Sequence, residues 1–130
     1  MRKFILAGVL ALVFASCAST PRGEPSPFEG QWFVSRIEEP GALAQFGIYP
    51  YSMLFQRNEF SLMNGREAPD GTLAPSAALI LGRRFTYTDT EITVAAAGRN
   101  DAPKVFKYVL TVGSLTTTDD DYGTVIWIRQ

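Results

Sequence analysis

Three clusters in this sequence have the composition of chemistry. Asp119-Asp120-Asp121-Tyr122-Gly123 gathers carboxylates in the manner of a calcium loop. Such a loop needs alternating oxygens, a glycine at its sixth position and a bidentate glutamate at its twelfth. Counted from Asp119, Gly123 falls fifth and Gln130 twelfth, so the run reads as a solvated hairpin turn and no metal is expected. Glu38-Glu39, and Glu59 with Glu67, are carboxylates that could act as acid and base on a glycoside. Nothing in their spacing fixes a separation, on which that mechanism depends, and they read as surface charges. Arg83-Arg84 on a strand would send one guanidinium to each face. An inward one could anchor an anion or carboxylate, although an exposed pair at a strand start is the plainer reading.

What is missing narrows the field. The 130 residues contain no histidine and one cysteine. Ser-His-Asp and Cys-His catalysis and imidazole-ligated zinc are thereby excluded. So are an internal disulfide and a cysteine cage for zinc or iron–sulfur. Twelve basic against thirteen acidic residues give a net charge of −1 and no reason to expect a nucleic-acid partner. The length allows one domain of modest core. The expectation is a protein without enzymatic activity and without a cofactor.

The single cysteine is placed informatively. Met1-Arg2-Lys3 is a basic start, followed by twelve uncharged residues ending at Ala15. As a helix that stretch spans ~18 Å, short of the ~30 Å hydrocarbon core, so it fits a signal peptide better than a membrane span. Phe14-Ala15-Ser16-Cys17 resembles the bacterial lipobox, with Phe14 where leucine is usual. The alternative is an ordinary secreted protein whose cysteine lies near the cut by chance. On the lipobox reading, residues 1–16 are removed and Cys17 carries the lipid, palmitate among its acyl chains, that holds the protein to the membrane. Two or three chains at one terminus attach stably. By resemblance to the sorting rule of Gram-negative lipoproteins, Ala18 in place of aspartate favours the outer membrane over the inner one. Losing Arg2 and Lys3 leaves ten basic against thirteen acidic residues, a charge of −3, so headgroup attraction is not the docking force. Residues 17–27 hold three prolines and little apolar bulk, and read as a tether.

From Phe28 the chain is written in short alternating runs. Strands are predicted over residues 32–37, 51–56, 59–63, 83–88, 91–95, 105–112, 115–118 and 124–129, with Arg57-Asn58 and Asp89-Thr90 as two-residue turns. Asn64-Gly65 is the strongest short hairpin signal, and residues 66–76 then read as a long loop. Residues 77–81 form a small apolar run broken by Gly82. Residues 41–47 hint at one helical turn. Eight or nine strands joined by tight turns predict an all-β fold, an antiparallel sandwich or up-and-down barrel. Closure would remove the edges that invite pairing with neighbours. The interior would take Phe33, Ile37, Met53, Phe55, Phe60, Leu62, Phe85, Tyr87, Phe106, Tyr108, Leu110, Ile126 and Ile128.

Domain 28–130 resembles the lipocalin-like lipoproteins of bacteria, within the calycin group. The matching residues are Gly30-Gln31-Trp32, a G-x-W signature at the first strand, and the run from Leu54 through Arg57-Asn58 to Phe60. Gly82-Arg83-Arg84-Phe85-Thr86-Tyr87 followed by Glu91-Ile92-Thr93-Val94 is similar to a mid-chain hairpin. A last strand carrying Arg129 completes the order. The resemblance implies a barrel of about eight strands in which Trp32 packs across the closed end beneath Arg129, a structural pairing and not a catalytic one. It also implies binding of a small apolar ligand or lipid within the barrel, under a lid of residues 46–51. Phe46, Tyr49 and Tyr51 would rim that mouth, contact a partner or plug the barrel end. The other function weighed is a protein-interaction module with a filled barrel and no small-molecule ligand. An enclosed apolar cavity of a few hundred Å³ separates the two.

Overall fold

A computed structural model describes residues 25–98 and 100–130. The expected signal peptide, Cys17 and most of the expected tether lie outside the described residues. Eight strands follow one another: β1 (Gly30–Pro40), β2 (Tyr49–Gln56), β3 (Glu59–Glu67), β4 (Leu73–Tyr87), β5 (Glu91–Val94), β6 (Lys104–Thr111), β7 (Ser114–Asp119) and β8 (Gly123–Arg129). Each is antiparallel to the next and β8 returns to pair with β1, closing an eight-stranded up-and-down barrel. The predicted helical turn is a 3-10 helix at Ala42–Phe46, closed by Gly47 in the left-handed region. A meander alternates its turns between two ends. The chain enters beside Phe28 at the end that also holds Arg57-Asn58, residues 88–90, Gly113 and Arg129. The opposite end holds the 3-10 helix, residues 68–72, the segment after β5 and residues 120–122.

The pleat sends alternate residues inward, and large apolar side chains meet there. Phe28, Trp32, Phe55, Phe60, Trp127, Leu115 and Val125 are among fifteen buried apolar residues that form one cluster. At about 1.5–3 kcal/mol for each large side chain removed from water, this interior is the main source of stability. Three expected interior positions are corrected. Phe33 faces outward, paired with Ile128 and in edge-to-face contact with Tyr51 at 5.9 Å. Ile126 and Ile128 also face outward, with Ile128 48% exposed, while Val125 and Trp127 face the core. Both phases of β8 are apolar, so alternation alone does not choose between them. Trp127 decides it, because its bulk fits the interior and its Nε1–H donates to Thr117 Oγ1 at 2.8 Å. Trp32 inward likewise forces Phe33 outward.

The Asn64-Gly65 hairpin is also corrected. Both residues lie within β3, facing Pro50 and Tyr49 on one side, and Gly65 faces Pro75 on the other. A Cβ at Gly65 would come within 3.2 Å of Tyr51 Cβ and 3.1 Å of the Ala74 carbonyl, so this glycine makes room between neighbouring strands. The turn comes at residues 68–72, where Ala68 N–H donates to Thr72 O and Gly71 adopts φ 88°. The expected loop is thus mostly strand. Nor does Gly82 break the run before it; at φ 60° it sits in one of several bulges that bend β4 against β3.

Two ladders are short. β1 pairs with β2 only through Gly30–Phe33, and β4 pairs with β5 only through Phe85–Tyr87. Beyond those pairs the strands splay.

Candidate functional site

The closed end is built from the chain entrance. Ser26-Pro27-Phe28-Glu29 is a turn in which Glu29 N–H donates to Ser26 O at 3.1 Å, with proline at its second position as such turns favour. It drives Phe28 into the barrel, fully buried against Phe55, Tyr87 and Tyr108 at 4.9–5.2 Å between ring centres. Trp32 Nε1–H donates to Phe28 O at 2.7 Å. The Arg129 guanidinium lies 4.4 Å from the Trp32 ring centre and donates to the carbonyls of Glu29 and Pro27. The fork thus ties the last strand to the entrance turn while covering an indole face. Tyr108 OH donates to Thr88 O at 2.6 Å, and burial pushes its pKa up to about 12.

The far end is closed by charge. Lys104 Nζ lies 2.5 Å from Asp119 Oδ2 and 2.6 Å from Asp121 Oδ2, with the Asp119 side chain only 3% exposed. Burial works against the ammonium, but the hydrogen bonds to Asp119 and Asp121 together with their negative charges outweigh it and raise its pKa. The same Nζ lies over the Phe106 and Tyr122 rings. Tyr122 is buried and donates to Asn64 Oδ1 at 2.6 Å; burial, then Asp119 and Asp121, push its pKa upward. Asp119 also accepts from the backbone N–H of Asp121 and Tyr122. The acidic turn is therefore wrapped around a lysine. No group of three or more histidine, cysteine, aspartate or glutamate side chains among the described residues is arranged for a metal ion. Nothing in the sequence spacing pairs Lys104 with this turn. The β6–β7 hairpin brings them together.

The remaining candidates disperse. Glu38 bonds Arg36 on the surface. Glu59 and Glu67 sit at opposite ends of β3, roughly 27 Å apart at strand rise, too far for two carboxylates to share one bond. Arg83 faces Phe60 and is half-buried, while Arg84 faces Glu59 and is exposed. The aromatic mouth does not assemble: Tyr49 and Tyr51 belong to β2, Tyr51 lies on the outer wall against Phe33, and Phe46 is 66% exposed on the 3-10 helix. A cleft of about 410 Å³, open to solvent, runs along the splayed seam between Phe33–Ile37 of β1 and Tyr51, with Leu73 beside it. A second of about 470 Å³ lies outside the Lys104 cluster. The axis of the barrel is occupied instead by Phe28, Phe55, Phe60, Phe85 and Phe106, in ring contact from one to the next.

No protein-family model, curated protein or solved structure matches the chain.

Proposed function

We propose that this protein is a lipid-anchored lipoprotein of the bacterial envelope whose filled barrel is a rigid interaction module. The observation that carries the choice of module over ligand carrier is the interior, where Phe28, Phe55 and Trp32 are 0% exposed and Phe60 1%. A ligand pocket occupies some hundreds of Å³ lined by a few polar groups; here side chains occupy that space. The membrane attachment rests on the lipobox-like run at Cys17. The lipocalin-like reading is supported by Gly30-Gln31-Trp32, by Arg129 over Trp32 and by the eight-stranded meander. On this reading the tether leaves from the closed end, and residues 17–28 span at most roughly 40 Å. The 3-10 helix, the β3–β4 hairpin and the Lys104 cluster then face away from the membrane. No catalytic group is assigned.

Native mass spectrometry of the protein purified from its own host, released from detergent, tests the module. The expected spectrum is the mass of the covalently lipidated chain alone. A retained non-covalent lipid in stoichiometric amount overturns the filled-barrel reading. Metabolic acyl labelling tests the anchor: Cys17→Ser should abolish it, and labelling that survives overturns the lipoprotein reading.

A further inference from the structure

The longest stretches left unpaired on one side among the described residues belong to β1 and β4, and they differ in charge. β1 stops pairing with β2 after Phe33, so its edge is free from Val34 to Pro40. That stretch carries Arg36, Glu38, Glu39 and Pro40, with bulges between Val34 and Arg36 and between Ile37 and Glu39. Charges, proline and bulges are the ordinary means of blunting an edge; β4 also has a proline and bulges but lacks the charges along its neutral stretch. β4 is fifteen residues long and β5 four, with pairing limited to Phe85–Tyr87. One further bond, from Ala95 N–H to Arg84 O, ends the ladder. Among the described residues, no strand pairs with residues 73–83 of β4 on that side. From Thr72 to Gly82 there is no charged residue. Leu79 and Leu81 are 47% and 77% exposed, and residues 74–78 are all exposed and small or prolyl. The edge ends at Arg83 and Arg84, neither of which makes an ion pair among the described residues.

We propose that the open edge of β4 binds an extended segment of a partner protein by strand addition, uncharged along its length and acidic at the end that abuts Arg83 and Arg84. A row of backbone N–H and C=O groups left unpaired by protein is a template for another extended chain. The neutral stretch penalises a charged segment through desolvation. The arginine pair fixes the end at which the acid lies: an antiparallel segment, the pairing used throughout this barrel, brings its N-terminal end to Arg83. A second copy of this chain is a poorer occupant. Antiparallel β4–β4 pairing would bring Asp70 of the β3–β4 turn near the arginines, but it points the two closed ends in opposite directions, so on the anchored reading the two tethers do not face one membrane. Pro75 and the bulges at Leu79 and Gly82 limit the added ladder to a few bonds, as suits a reversible contact. This rests on the interaction-module reading and names its site.

The test uses the full-length protein in the cells that make it, with a photoreactive residue placed singly at Ala74, Ala78, Glu38 or Phe46. The proposal expects crosslinks from Ala74 and Ala78 to one partner chain, on residues met in reverse order and flanked by an acid. In an Arg83→Gln, Arg84→Gln variant of unchanged melting temperature those crosslinks should fall at least tenfold. Crosslinks from Glu38 or Phe46 alone overturn the β4 site while leaving an interaction module. Crosslinks from none of the four overturn both. Crosslinks from the edge to a second copy, or yields unchanged without the arginines, overturn the occupant named here.

Discussion

Arg129 is exposed and next to the last residue of the sequence, yet it makes three contacts at once. It covers Trp32 and donates to two carbonyls of the entrance turn. A lysine keeps the charge but loses the fork. Arg129→Lys is expected to cost about 1 kcal/mol and Arg129→Ala about 2 kcal/mol, measured by urea denaturation. Equal stability of all three proteins would show that the clamp contributes nothing. The resemblance carried by Gly30-Gln31-Trp32 and by Arg129 in the last strand implied this pair. It could not offer Phe28 as a plug, because one phenylalanine after three prolines looks the same whether it enters a core or trails in a tether.

Among the elements, the join between β1 and the β7–β8 turn is the tightest. Ala42 and Leu43 N–H donate to the carbonyls of Asp120 and Asp121, which draws Gly41 and Gly123 into backbone contact. Gly123 adopts φ 80°, and a Cβ there would collide with the Glu39 carbonyl. Gly113 has nearly the same φ, 82°, in a turn open to solvent. Gly113→Ala should therefore cost only the left-handed strain, about 1–2 kcal/mol. Gly123→Ala should prevent accumulation of folded protein, read as loss of soluble yield. Similar outcomes for the two variants would contradict the close approach. In sequence both are turn glycines; the difference lies in what the opposite strand brings against them. The same holds for Asn64-Gly65, whose local preference for a hairpin is overridden by pairing on both sides.

At the scale of the whole molecule, both ends of the barrel respond to alkali. Tyr108 at the closed end is pushed up to about 12 by burial, while Tyr122 and Lys104 at the far end are also raised. Each group holds its proton more tightly folded than unfolded. The stability they contribute is thus complete below their unfolded values, near pH 10, and is lost as pH rises through the folded ones. The melting temperature should hold steady to about pH 9.5 and fall between about pH 10 and 12. Tyr108→Phe should fall less steeply across that interval. A flat profile through pH 12 would contradict the burial of these groups. The filled interior also predicts that added fatty acid leaves the melting temperature unchanged, where a carrier would be stabilised in proportion to ligand excess.

The sequence by itself determined the all-β class, most strand positions and tight turns such as Arg57-Asn58, because alternation, β-branched residues and turn formers act over a few neighbours. It also excluded histidine chemistry by composition. Tertiary structure alone decided which phase of β8 faces inward, that Lys104 closes the acidic turn, and that β4 outruns β5 to leave an open edge. Those outcomes depend on register between strands and on competition for a finite interior. When both faces of a strand are apolar, or a strand outlasts its neighbour, only the assembled barrel determines which groups are buried and which are left unpaired.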